Sequence, residues 1–585
     1  VFVGAEIRPF DTHIFMEHLS LITKKRKLRI LMVSEASFLS SGFAVYTREI
    51  LSRLYKTNKY DIAEFACYGL VNDPRDKNIP WKYYANAVRE DDPRYSEYSS
   101  RSDNQFGRWR FEKVLLDFKP DIVIDIRDYW MNSYQALSPL RKFFHWILMP
   151  TVDSAPQQED WIDTFLSADS VFTYSDWGAE VLKQQSSNKI NYIATVSPGV
   201  DLSIFQNRSK QEKNQIRKIL GLPEDAIIFG SVMRNQKRKL IPELFLSFRN
   251  ALDKLSETDP DKASKLYLYL HTSYPDAGWD IPEILKDNRL CNRVFFTYLC
   301  RKCGAVLSKV FTGPAIACPS CMEKLMTFSS VTNGITSDQL AKVYSSFDAY
   351  IQYSICEGFG CPQTEAGASG LPIITVNYSA MCDIVKKLNA IPIQPAAFFK
   401  ELETKAIRVY PDNKQLSSAI ITVANMSEDE RKVLGDETRK LTEKYYHWDD
   451  IANKWIKHLD HLAESCQPKW DAAPAFFEPL DQKLSNVSPN NHYSIINNIF
   501  AKRLGNKNLI GSMISLNLMQ QADYGFSMHG MSVNKHSFGD AINFANMVIN
   551  NNNQSEQARI QNIDFTDDFI QYASIKQNTI NPLNI

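Results

Sequence analysis

Glu357-Gly-Phe-Gly-Cys-Pro-Gln-Thr-Glu365-Ala-Gly-Ala-Ser-Gly370-Leu-Pro372 is the stretch that decides how this chain is read. Just ahead of it, Ala349-Tyr-Ile-Gln-Tyr-Ser354 has the apolar character of a buried strand. After the Gly-Phe-Gly turn, residues 362–369 are predicted as a short helix, with Pro362 in its first turn and Gly370 just past its end. A strand, a glycine turn and a helix N-terminus make an anion site, because unpaired N–H groups and the helix dipole converge over the turn. Glu357 and Glu365, with seven residues between them, add acceptor-only carboxylates that suit hydroxyl groups. A ligand that is both phosphate and polyol satisfies both features, and a nucleotide-sugar is one. The plainer alternative is a helix N-terminus with a solvated Glu365.

The flanking sequence has the rhythm of two α/β series. Leu28-Arg-Ile-Leu-Met-Val-Ser34 reads as a strand leading through a loop containing Gly42 into an amphipathic helix that ends near Leu54. Residues 62–67, 121–126, 146–149 and 170–175 continue this series, the last opening a helix at Asp176. A second series runs through residues 226–232, 266–270, 294–297, 348–353 and 373–376. Alternating strands and helices predict parallel sheets covered on both faces. Ligands then belong at the carboxyl ends of the strands, in a cleft between the two units.

The 357–372 string resembles the E-x7-E motif of retaining GT-B glycosyltransferases, in particular the GT4 type. Ser197-Pro-Gly-Val-Asp-Leu-Ser-Ile-Phe205 is similar to that family's P-x-G-V-D segment at the domain junction. The resemblance covers roughly residues 28–465. It implies an α/β fold of two facing Rossmann-like domains. The acceptor domain is 1–205, completed by a crossing helix at about 445–465, and the nucleotide-sugar donor domain is 206–444. One helix is predicted from about 427 to 463, with Tyr445-Tyr-His-Trp448 marking the crossing.

Gly230-Ser-Val-Met-Arg234-Asn-Gln-Lys237-Arg-Lys239 follows the first strand of the second series. Its Arg-x4-Lys spacing resembles the family's diphosphate clamp, which assigns Arg234 and Lys239 to the donor and makes Lys237 and Arg238 secondary candidates. Cations aimed at a departing diphosphate stabilise the charge that grows as the glycosidic bond breaks. By resemblance, Glu365 holds the ribose hydroxyls and Glu357 lies by the sugar ring. The amides around Phe359 and Gly360 bind sugar and phosphate, and Gly42 approaches the diphosphate from the other domain. Glu357 and Asp153 are the expected catalytic residues. Asp153 sits where many members carry a His beside the transferred sugar; it either contacts sugar or acceptor, or caps a helix near 157–166. Asp128 is a weaker acceptor-side candidate, and His271 reads as structural. In this family the anomeric configuration is retained, by front-face attack with the leaving phosphate as base, and no catalytic metal is expected.

Cys300-x2-Cys303-x14-Cys318-x2-Cys321 is a separate signal. Two CxxC knuckles at this spacing suit a closed tetrahedral zinc site, hence a structural zinc ribbon inserted at about 298–328. Free or redox thiols are the alternative. A ribbon this small depends on its metal to fold.

Composition sets the outer limits. The chain has 585 residues, enough for two or three domains, with 44% hydrophobic and 23% charged residues. Lys+Arg and Asp+Glu are both 67, so no global basic field draws nucleic acid. No run approaches a transmembrane span, the first residues lack signal-peptide character, and ten cysteines make no disulfide scaffold, so the expected location is cytoplasmic. Residues 466–585 are rich in Asn and Ser and read as an appendage or small accessory domain; with the ribbon, they are candidate surfaces for a protein partner. The donor is expected to be a UDP- or GDP-sugar. The hydroxyl acceptor stays open between a glycan, glycolipid or small saccharide and DNA with a modified base, as in phage enzymes. An inactive GT-B-like binding subunit is the non-enzymatic alternative.

Overall fold

The computed structural model describes residues 26–138, 140–330, 334–466 and 469–470. The Asn-rich extension, with its amphipathic stretch at 538–549, lies outside the described residues apart from Cys466, Lys469 and Trp470.

The first sheet has seven strands: β1 (Leu28–Glu35), β2 (Tyr60–Leu70), β3 (Lys82–Ala87), β4 (Ile122–Asp125), β5 (His145–Leu148), β6 (Ser170–Thr173) and β7 (Tyr192–Thr195). Their order is β3-β2-β1-β4-β5-β6-β7, and every pairing is parallel. At its centre Ile30 lies between Ile62 on β2 and Ile122 on β4. Both faces of the central strands are covered, which is why they read as continuous apolar runs rather than as alternating ones.

The second sheet repeats the plan. β8 (Ile227–Val232), β9 (Leu266–His271), β10 (Val294–Cys300), β14 (Ala349–Gln352), β15 (Ile373–Val376) and β16 (Ile391–Ile393) stand in the order β10-β9-β8-β14-β15-β16, all parallel. Counted from the first strand of each unit, this is the 3-2-1-4-5-6 order of the doubly wound fold, twice. Three short antiparallel strands extend the β10 edge: β11 (Val306–Val310), β12 (Ala315–Ile316) and β13 (Met326–Phe328).

The sequence signal missed β3, β7 and β16. β3 reads Lys-Tyr-Tyr-Ala-Asn-Ala and β7 reads Tyr-Ile-Ala-Thr; both are edge strands and only partly buried, so neither carries the apolar run of a central strand. The hairpin of β17 (Pro395–Lys400) and β18 (Ile407–Pro411) was missed too. The helix expected over 427–463 is in fact two, Glu428–Tyr445 and Trp448–Ser465. Tyr446 leaves helical geometry at φ −130° and ψ 30°, and its carbonyl accepts from the Val200 amide at 2.9 Å. That bond ties the break to the interdomain linker, and the second helix then runs onto the first sheet. There the Trp455 ring stacks on Phe172 at 4.2 Å, and its Nε1 donates to the Tyr46 hydroxyl at 2.8 Å.

Trp455 is fully buried at this junction. Trp455→Ala is expected to cost about 3–5 kcal/mol and Trp455→Phe clearly less. Denaturant unfolding followed by limited proteolysis of the final helix checks both.

Candidate active site

In a sheet of this order, the crossovers leaving the first and fourth strands go to opposite faces, so a crevice opens at their carboxyl ends. Both sheets have one, and the two crevices face each other across a cavity of about 590 Å³. That volume is in the range of small-ligand sites.

On the N-terminal side, β1 ends in a loop that closes with Ser41, whose Oγ caps the helix Gly42–Lys56 by accepting from the Ala44 amide at 3.2 Å. Ser41, Gly42 and Phe43 line the cavity, so this helix N-terminus faces it. A Cβ added at Gly42 would meet nothing within 4 Å, so packing within the protein does not require glycine there. At the end of β4, Arg127 and Asp125 form a wholly buried ion pair, and Arg127 Nη1 also donates to the Phe106 carbonyl at 2.8 Å. This brace sets the position of Asp128, which lines the cavity. Burial pushes the Asp128 carboxyl up to about 6; Thr151 opposes that shift and Asp153 adds to it.

On the C-terminal side, the segment after β14 brings Glu357 to the cavity, and Gly358 and Phe359 follow it. The Glu357 carboxylate is only 4% exposed and is surrounded by donors. Arg238 Nη1 donates to Oε2 at 2.9 Å, while Oε1 accepts from Gln352 at 2.7 Å, from the Ser354 hydroxyl at 3.0 Å and from Lys239 Nζ. Burial would raise this carboxyl, but Arg238 and Lys239 outweigh it and hold the group at about 2. Gly358 comes so close to Thr151 of the other domain that an added Cβ would lie 2.4 Å from its Cγ2. Gly360, at φ +89°, turns the chain into the helix Cys361–Ala368, whose first residue, Cys361, also borders the cavity. The Phe359 ring packs edge-on against Tyr446 at 5.6 Å, on the segment that crosses between domains.

Two sequence expectations are placed differently, and for a third the structure separates the alternatives. Arg234 is not brought to Glu357; its guanidinium forks onto Asp276 at 2.9 and 3.0 Å and is 49% exposed, while Arg238 occupies the cavity wall. Glu365 stands off the cavity, one helical turn in, where the Tyr344 hydroxyl donates to it at 2.7 Å. Asp153 caps no helix. The helix Glu159–Leu166 starts after Gln158, and Asp153 instead lines the cavity and pairs with Arg408 at 2.9 Å.

Arg408 escaped the sequence analysis. It comes from β18, which reaches across the cleft so that the Ile407 amide donates to the Ala155 carbonyl at 2.8 Å. Its surroundings, Ile-Arg-Val-Tyr-Pro, carry no motif that could have flagged it. His271 is structural as expected. Its ring nitrogens lie 2.8 Å from the Thr297 hydroxyl and 3.3 Å from Ser329, and burial lowers it to about 4.

Away from the cleft, the sulfurs of Cys300, Cys303, Cys318 and Cys321 all lie within 4.8 Å of one another. Cys300–Cys321 and Cys303–Cys318 are both 3.6 Å apart, far longer than a disulfide. A tetrahedral Zn–S4 centre with ~2.3 Å bonds has S–S edges of ~3.8 Å, so the four thiols fit a zinc ion. The knuckles sit at the end of β10 and around the β12–β13 extension, at the sheet edge remote from β14.

Two Rossmann-like domains facing each other across their switch points define the GT-B architecture. Residues 329–441, which contain Glu357, Glu365 and the helix between them, match the family described as glycosyl transferases group 1. The fold is similar to sucrose-phosphate synthase from Thermosynechococcus elongatus, with TM-score 0.54 and 16% identity over 75% of this chain and 100% of that one. It is also similar to Anabaena Alr3699/HepE solved in complex with UDP-glucose, with TM-score 0.51 and 12% identity over 74% and 100% of the two chains. A glycosyltransferase from Rickettsia africae gives TM-score 0.50 and 14% identity over 75% and 99%. At these identities the likeness is one of fold. Among the described residues no helix is long and apolar enough to cross a membrane.

Burial pushes the Glu365 carboxyl up to about 7 from an ordinary 4.5, with the Tyr344 hydrogen bond opposing. The folded chain therefore binds this proton more tightly than the unfolded chain, and stability falls as pH rises from about 4.5 to about 7. Glu365→Gln removes that slope. Its melting temperature should gain on the wild type across this window and hold the gain at pH 8, as read by calorimetry at stepped pH.

Proposed function

We propose that this protein is a retaining glycosyltransferase that moves a sugar from a nucleotide-sugar to a hydroxyl acceptor. The observation that carries the reading is the Glu357 cluster. It sets Arg238 and Lys239 beside the N-terminus of the helix Cys361–Ala368, and the helix Gly42–Lys56 points its own N-terminus into the same cavity. Two helix N-termini and two cations suit a diphosphate. The group 1 match over this segment supports the same donor assignment.

In the proposed reaction the bond from the anomeric carbon to the diphosphate oxygen breaks as a bond from the acceptor oxygen to that carbon forms on the same face. The acceptor proton passes to the departing phosphate oxygen. The charge that grows on the diphosphate is met by Lys239 and Arg238, with Arg234 reaching it only by leaving Asp276. Glu357, enclosed by donors and held ionised, serves as a fixed negative charge beside the sugar ring rather than as a free nucleophile. Asp153, joined to Arg408, borders the transferred sugar. In its carboxylate form, Glu365 accepts from the ribose hydroxyls when Tyr344 shares it.

The four cysteines are assigned to a structural zinc that pins the β10–β13 edge. It supplies no chemistry to the cleft, and the transfer needs no metal.

Two experiments test this reading. In a thermal-shift screen of UDP- and GDP-sugars, the true donor at 100 times its dissociation constant should stabilise the chain by about 2.7 kcal/mol. Lys239→Ala and Glu357→Gln should then each lower kcat by about 10²–10³-fold, judged by release of nucleoside diphosphate. Normal turnover in both variants would sink the assignment. For the metal, elemental analysis should find one zinc per chain, and Cys318→Ser should lose it and lower the melting temperature while donor binding by the folded fraction persists.

A further inference from the structure

We propose that the N-terminal wall of the cleft is an acceptor subsite for an uncharged sugar ring, with the indoles of Trp130 and Trp161 as its floor and the carboxylates of Asp128 and Asp153 as its rim. The proposal rests on the transferase reading above and names the acceptor class that reading left open.

The aromatic residues arrive from two neighbouring strands. Trp130 lies on the short helix Tyr129–Asn132 that follows β4, and Trp161 lies on the helix Glu159–Leu166 that follows β5. Trp161 stacks on Tyr129 with ring centres 5.2 Å apart and planes 25° apart, and Trp130 meets it edge-on at 6.5 Å. Trp130 and Trp161 both line the cavity, yet Trp130 keeps 49% of its surface exposed. A large apolar ring held half open inside a concave cleft is a surface for a ligand rather than part of the core. The C–H face of a pyranose is apolar and weakly positive, which matches the negative face of an indole.

The charge on this wall selects against other occupants. Glu35, Asp128 and Asp153 all face the cavity from the N-terminal domain. Their oxygens accept from hydroxyl groups and repel phosphate. The cation that reaches this wall, Arg408, is already matched by Asp153 at 2.9 Å and Glu401 at 2.7 Å. On the opposite wall the balance is reversed, with Arg238 and Lys239 sharing the one carboxylate of Glu357. A nucleic acid or a sugar phosphate would need cations in excess of carboxylates on this wall, and the excess is of carboxylates. A neutral saccharide terminus needs no excess of cations.

The test titrates the full chain by calorimetry with maltose, cellobiose and lactose, with glucose 6-phosphate and a single-stranded oligonucleotide carrying 5-hydroxymethylcytosine as charged alternatives, and with UDP and UDP-glucose in parallel. At least one neutral disaccharide should bind in the millimolar range. Trp130→Ala and Asp128→Asn should each weaken it by roughly tenfold, Trp130→Phe should retain most of the affinity, and UDP binding should be unchanged in all three. Tighter binding of a charged alternative than of every neutral disaccharide overturns the proposal. So does absence of binding by all three disaccharides, or indifference to both Trp130→Ala and Asp128→Asn. Intact nucleotide binding alongside any of these removes the acceptor assignment alone. Saccharide binding by a chain that binds no nucleotide removes the transferase reading and leaves a saccharide site.

Discussion

The constraint on which the rest of this molecule depends is the reversal of winding direction at the centre of each sheet. Parallel strands need crossovers, and each crossover keeps one hand. When successive strands are added on one side of the first strand and then on the other, the crossovers at that point must part. The gap lies between β1 and β4 in one domain and between β8 and β14 in the other. The groups that face the cavity come from segments leaving the carboxyl ends of β1, β4, β5, β6 and β7 in one domain and of β8 and β14 in the other, or from the β17–β18 hairpin that crosses over it. The chemistry is varied, but the place where chemistry can occur is set by topology.

Holding two such gaps in register is a separate problem, and the chain solves it with contacts far apart in sequence. The break at Tyr446 lets the final helix leave one domain and bury Trp455 against the other. Gly358 allows the backbone of the C-terminal domain to come close to Thr151. The Arg408–Asp153 pair crosses the cleft directly, with Arg408 buried and Asp153 partly so, and its net worth lies more in fixing position than in stability. These contacts differ in kind: an apolar clamp where the chain crosses between domains, a steric close approach beside Glu357, and an ion pair across the cavity.

The electrostatic division of the cleft follows from the same geometry. On the C-terminal wall the buried carboxylate of Glu357 lies against two cations and two neutral donors, an arrangement that keeps it ionised despite its burial. On the opposite wall the carboxylates have fewer cations to meet, and Asp128 is pushed up to about 6. One cavity thus has a wall suited to phosphate and a wall suited to hydroxyls and ring faces. The transfer proposed above, from a nucleotide-sugar to a neutral acceptor, calls for that separation.

The sequence by itself determined the two α/β series, the glycine turn and helix after Glu357, the paired knuckles of Cys300 to Cys321 and the closeness of basic residues to the first strand of the second unit. These are local: apolar runs mark buried strands, glycine marks a turn that needs positive φ, and ligand spacing within a knuckle is a short-range matter. Tertiary structure alone decided that Arg238 rather than Arg234 lies against Glu357, because a one-turn shift in a basic loop cannot be read from spacing. It also decided that Glu365 leans on Tyr344, that Asp153 meets Arg408 and that Trp130 and Trp161 share a wall. Each of those pairs is brought together by strand order and by the crossing of the final helix, and side chains 21 to 255 residues apart leave no local pattern that announces their meeting.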